Sequence, residues 1–180
     1  RSRGLGDVYK RQVKQRVHPC LIPHNLDVAN IDDVINAIVV DGYPIGRTIY
    51  EGPGAGKGPT ASAVISDITS IMLGNDEFSF GLAPSAKKKL SLFNFDNHVS
   101  KYYIRFLTKD ITGVLSKITT ALAKYKISVA NLYQEPSKSG SANIMLITHE
   151  TKELNIQKVI YKLSIQKKLF KKIVMIRVRD

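Results

Sequence analysis

The pattern of apolar and polar positions divides this chain into two regions of different texture. In the first, Val13–Ile22 reads as a strand stopped by Pro23. Asn25 to Asn30 reads as loop and Ile31–Ala37 as a short helical turn. The β-branched run Ala37–Val40 ends at Asp41-Gly42, and Ile45–Tyr50 is extended again, which predicts a hairpin around the sequence DGYP. Next come alternating glycines at Gly52, Gly54, Gly56 and Gly58, with Pro59 expected as the first residue of a helix. Ala61, Val64, Ile65, Ile68 and Ile71 then recur at helical spacing and define one apolar face.

Residues 73–100 break the periodicity and read as a connector with two short apolar stretches, Phe78–Leu82 and Leu90–Phe95, able to dock on a neighbour. After Lys101 the pattern is regular. Strands are expected at 102–107, 127–134, 142–150 and 173–178. Between them lie helices over 113–125 and 154–166, with a turn at PSKSGS. The apolar positions Val114, Leu115, Ile118, Ala121, Leu122 and Tyr125 share one face of the first helix; Ile156, Val159, Ile160 and Leu163 share one face of the second. Asp110 and Thr112 are candidate caps ahead of Gly113. The order βαββαβ in about 80 residues is that of the ferredoxin-like split βαβ fold.

Composition narrows this picture. The 180 residues are 43% hydrophobic, enough for a packed core, and no apolar run nears the ~20 residues of a membrane span. Cys20 is the single cysteine, so no intrachain disulfide can form, and a soluble, cytoplasmic protein is expected. The net charge of +12 resides mainly in residues 101–180, where sixteen Lys/Arg face five Asp/Glu. These are mostly lysines scattered over presumed helix surfaces, without the aromatic strand signature of an RNA-binding sheet, so no nucleic-acid partner is expected. The opening RSRGLGDVYKRQ lacks periodicity and resembles translated cloning sequence, so residues 1–12 are expected to be a non-native tail.

The glycine segment holds the candidate chemistry. A strand that turns through glycines into a helix presents free amides and the positive end of a helix dipole to an anion. A phosphate-binding P-loop fails here, because Glu51 stands at its first glycine and Gly58 at its magnesium-binding hydroxyl. The dinucleotide fingerprint fails as well, since its third glycine falls on Lys57. Two readings stand on the residues: an anion-facing helix start, and a tight turn required by close packing.

Two passages carry a family resemblance. VHPCLIP, NAIVVDG and GPGAGKGPTASAVISDI resemble the close of the catalytic region of homoserine dehydrogenases. KDITGVLSKITTALAKYKISVANLYQ is similar to the start of an ACT domain, the amino-acid-sensing module that many bacterial members carry. The resemblance implies an α+β chain: a C-terminal remnant of the catalytic α/β region over 13–73, a linker over 74–99, and a ferredoxin-like ACT domain over 100–180. It implies an NAD(P)-dependent oxidoreductase that interconverts aspartate semialdehyde and homoserine, on the route to threonine and methionine.

In that family the glycine loop meets the nicotinamide cofactor, which points to Gly54, Ala55, Gly56 and Thr60, with Gly56 foremost. His18 and Pro19 match the family's strand-end motif, with Cys20 where most members carry Thr; a structural part is expected for His18. The resemblance also implies feedback by an amino-acid effector, threonine first, at Asp110, Gly113, Val114 and Asn131, and homo-oligomerisation through both parts. The dinucleotide-binding region and the catalytic residues are expected upstream of this chain, so no catalytic residue or metal ligand is assigned within it, and the chain alone is expected to be inactive. The competing reading is a free-standing ACT-type amino-acid-binding regulator.

Overall fold

The computed structural model describes residues 12–75, 83–86, 89–137 and 140–179. The expected docking stretch Phe78–Leu82 lies outside them. The chain divides into two compact units, one comprising 1–15 and 24–93, the other 16–23 and 94–180.

In the first unit, β1 (Gln12–Val13) runs parallel to β5 (Ser91–Leu92), while β3 (Ile35–Gly42) and β4 (Gly46–Pro53) form the expected antiparallel hairpin. Its turn is fastened by an exposed Arg47–Asp41 ion pair of 2.7 Å. The helical turn expected at Ile31–Ala37 is instead extended from Ile35 onward, and a 3-10 turn lies earlier, at Asp27–Asn30. Ile35, Ile38, Val39 and Val40 are β-branched and fit a pleated strand better than a helix. The single strand expected over Val13–Ile22 is two short ones, β1 and β2 (Cys20–Leu21), belonging to different units.

Helix α1 (Lys57–Met72) follows the glycine loop. It starts two residues before Pro59, which therefore sits third rather than first; the missing N–H costs nothing there either, because no amide of the first turn has an intrahelical partner. Among the described residues no side chain of α1 is buried, and Ile65 is 62% and Ile71 75% exposed.

The second unit has the predicted order: β6 (Val99–Lys109), α2 (Val114–Lys124), β7 (Val129–Ser137), β8 (Ser141–Thr148), α3 (Glu153–Ser164) and β10 (Phe170–Val178), with β9 (Thr151–Lys152) a short addition beside β6. The sheet order is β2-β10-β6-β8-β7. Pairing is antiparallel except where β2 joins β10 in parallel. The βαββαβ expectation holds, and β7 runs on through Ser137 into the stretch read as turn.

Strand alternation and helical spacing converge on one core. Tyr102, Ile104 and Phe106 of β6, with Ile144 and Leu146 of β8, meet Ile118 and Leu122 of α2 and Ile156, Val159 and Leu163 of α3. Leu115, Tyr125 and Ile160 pack half-buried at its rim. Each fully buried aliphatic side chain here contributes roughly 1.5–3 kcal/mol over exposure.

Candidate functional site

Three places in the described residues concentrate polar groups under structural constraint. The first is the glycine loop. The Gly54 N–H donates to the Val34 carbonyl at 2.7 Å, and a Cβ at Gly54 would fall 1.9 Å from Asn36 Nδ2. The exposed Asn36 side chain is what a Cβ at Gly54 would meet. Gly56 is different. It adopts φ +121°, a region open to glycine alone in practice, and only the Pro59 ring lies near its missing side chain. The first helical bond runs from Thr60 N to Gly56 O at 3.1 Å, so the amides of Gly56, Lys57 and Gly58 precede the helical ladder. Gly56 and Thr60 line one shallow depression with Lys57, Ala61, Val64 and Ile65. Gly54 and Ala55 do not reach it.

The second place is the end of the βαββαβ sheet where β6 hands over to α2. A cavity of about 300 Å³ is lined by Thr108–Leu115 together with Gln134, Ala142 and Ile144. That volume lies at the lower end for small-molecule sites. Asp110, Gly113 and Val114 all belong to it. Gly113 takes the left-handed conformation at φ +88° and starts α2 by backbone geometry alone. The caps expected from Asp110 and Thr112 are not made; the Asp110 N–H instead donates to the Gly140 carbonyl at 3.0 Å.

Asn131 is not part of this cavity. In the β7–β8 register Leu132 and Gln134 lie opposite the buried Leu146 and Ile144, so strand alternation puts Asn131, opposite Ile147, on the other face of the sheet. Gln134 is the β7 residue that lines the cavity. Periodicity over β7 would have identified it once the pairing partner was known.

The third place had no signal in the sequence. Glu153, the first residue of α3, is wholly buried. Its carboxylate accepts hydrogen bonds from Arg16 at 2.9 and 2.6 Å, from Arg177 through Nε at 2.9 Å and also through Nη2, from the Tyr102 hydroxyl at 3.3 Å, and from Gln157 at 3.2 Å. Burial alone would raise this carboxyl. The hydrogen bonds and charges of Arg177 and Arg16 outweigh it and hold the group at about 2. Burial, followed by the charge of Glu153, pushes the Tyr102 hydroxyl above its ordinary range.

Among the described residues no group of three or more His, Cys, Asp or Glu is placed to hold a metal ion, and no helix is long and apolar enough to cross a membrane.

Comparison with known proteins agrees with this two-part arrangement. Residues 1–69 match the family model for homoserine dehydrogenase, and residues 102–164 match that for the ACT domain. A homoserine dehydrogenase of Neisseria gonorrhoeae is 35% identical over 175 residues, covering 93% of this chain and 40% of the relative. One from Helicobacter pylori is 38% identical over 151 residues, covering 83% and 35%. Among solved structures, a homoserine dehydrogenase from Thiobacillus denitrificans superposes with a TM-score of 0.77 at 32% identity, over 95% of this chain and 40% of that one. The chain spans between a third and two-fifths of the length of the curated relatives it matches. The chain thus matches the homoserine dehydrogenase family model over residues 1–69 and the ACT-domain model over residues 102–164, and the relatives it resembles along most of its length are homoserine dehydrogenases.

Proposed function

We propose that this chain supplies the end of the catalytic region and the regulatory domain of an NAD(P)-dependent oxidoreductase that interconverts aspartate semialdehyde and homoserine. The observation that carries the reading is the co-occurrence, in one chain, of the family-matched glycine loop opening α1 and an ACT domain with a cavity at its first strand-to-helix turn. The partner this requires is an upstream dinucleotide-binding region, because the 180 residues contain no complete nucleotide fingerprint. Without it the chain is inactive.

Gly54, Ala55, Gly56 and Thr60 would form the edge of the cofactor site. The open face at Gly56, with helix-start amides beside it, suits an electron-rich or anionic group. The nicotinamide group supplies hydride exchange when bound. This chain's part is to hold the loop in place, through the Gly54–Val34 hydrogen bond and the Gly56 conformation, and to offer the apolar face of α1 to the dinucleotide-binding region. Cytoplasmic residence and homo-oligomerisation through both parts belong to the same reading.

The regulatory ligand we assign is an amino acid, threonine first. Its carboxylate fits the amides at the start of α2 beside Gly113 and Val114, and Asp110 offers a countercharge to its ammonium group. Asn131, on the opposite sheet face, would serve only in a site that spans that face. A free-standing amino-acid-binding regulator is the weaker reading, since it leaves the match of residues 1–69 without a role.

Titration calorimetry of the 180-residue chain with threonine tests the sensor. The expected result is a saturable heat that Asp110→Ala weakens about tenfold or more, equivalent to 1.4 kcal/mol or above. Identical heats for the two proteins would remove Asp110 from the site, and no heat in either would remove threonine as the ligand.

A further inference from the structure

Residues 16–23 belong to the ACT-bearing unit, although the sequence on both sides of them, 1–15 and 24–93, belongs to the other. Little burial holds this segment in place. Val17 is fully exposed, and Leu21 and Ile22 are 40% and 36% exposed. It is attached by the two-residue ladder of β2 on β10, by the Arg179 N–H donating to the Leu21 carbonyl at 2.9 Å, and by Arg16. The Arg16 guanidinium makes a two-pronged contact with the buried Glu153 and lies 4.6 Å from the centre of the Phe95 ring.

We propose that Arg16–Pro23 is a releasable strap of the ACT-bearing unit, clipped by the Arg16–Glu153 ion pair, and that it passes the state of that unit to the chain on either side. The clip is separable from the fold beneath it. If Arg16 lets go, Glu153 keeps Arg177, Tyr102 and Gln157 as partners, so the carboxylate stays neutralised and hydrogen-bonded. A segment with few buried apolar contacts and one charged anchor opens at low cost relative to the core. The two central strands also span the distance involved. β6 and β10 run from the cavity end, at Thr108 and Phe170, to the strap end, where Arg177 lies opposite both Tyr102 and Cys20. The transmission half of the proposal rests on the amino-acid-sensor reading; the clip half does not.

Hydrogen exchange by mass spectrometry on the 180-residue chain tests both halves. Arg16→Gln should speed exchange across the strap and at the Arg179 amide about tenfold or more, while the β6 and β8 amides around Ile104 and Ile144 stay within about twofold. Unchanged strap exchange overturns the clip. Equal acceleration throughout the unit also overturns it, since Arg16 would then be part of the core. Arg16→Lys, which keeps the charge and loses the fork, should fall between. Threonine that binds by calorimetry should alter strap exchange in the unsubstituted chain and not in Arg16→Gln; binding without any change at the strap overturns transmission. Absence of a threonine heat would count against the sensor reading and the transmission half, leaving the clip judged by the Arg16→Gln comparison.

Discussion

At Glu153 a buried carboxylate ties the stability of the second unit to pH. It is buried, and hydrogen bonds from two guanidinium groups hold it at about 2 against an ordinary 4.5. A carboxyl lowered in the folded state contributes its full stability above the unfolded value and loses it as pH falls toward the folded one. The window is therefore about pH 5 down to about pH 2, and the contribution is on the order of 3 kcal/mol. Glu153→Gln removes the charge and leaves Arg16 and Arg177 facing each other, at a cost of about 3–5 kcal/mol at neutral pH. Chemical denaturation over that pH range should show the unsubstituted chain losing stability more steeply than the variant. Parallel pH profiles would remove Glu153 from the account. At Gly54, an alanine Cβ would meet the end of the exposed Asn36 side chain, which can swing aside, so Gly54→Ala should cost no more than about 1 kcal/mol. Adding Asn36→Ala should restore most of it, and a double-mutant cycle in urea measures this directly. Of these residues the sequence displayed only the glycines. Glu153, Arg16 and Arg177 lie far apart in the chain; the packing of α3 on β10 pairs Glu153 with Arg177, and the docking of β2 beside β10 adds Arg16.

Among the elements, those that bury a face were the readable ones. In α2 the apolar spacing named Val114, Ile118, Ala121 and Leu122, and those four are buried. Ile118→Ala should accordingly cost about 2–5 kcal/mol, seen as a lower urea midpoint with the cooperative transition retained. Helix starts were less legible, because at Gly56 and Gly113 backbone conformation rather than a polar side chain begins the helix. The β-branched residues from Ile35 onward had favoured a strand, and the helical turn expected there gave way to them. Helix α1 has a face of Val64, Ile65, Ile68 and Ile71 that is exposed in this chain. If that face meets the dinucleotide-binding region, Ile65→Lys should leave the stability of the 180-residue chain within about 0.5 kcal/mol. The same substitution should lower activity sharply once that region is joined. A large stability loss in the short chain would mean that α1 already packs there.

At the scale of the molecule, two units were legible because their patterns differ: a hairpin and glycine loop first, then a regular βαββαβ run. The contribution of residues 16–23 to the second unit was not, because a two-residue edge strand has no periodicity to detect. The proposed function extends the reading beyond these residues, to a longer enzyme in which a nucleotide-binding region would be joined to this one; the chain itself spans 40% of its Neisseria relative. The most direct measurement is to join the chain to the upstream region of its own coding sequence. The rise of reduced nicotinamide absorbance on adding homoserine and NAD(P) is then followed with and without threonine. The account predicts homoserine-dependent reduction that the 180-residue chain alone lacks, that Gly56→Val lowers strongly, and that threonine inhibits. Absence of homoserine-dependent reduction in a folded, cofactor-binding joined protein would contradict it.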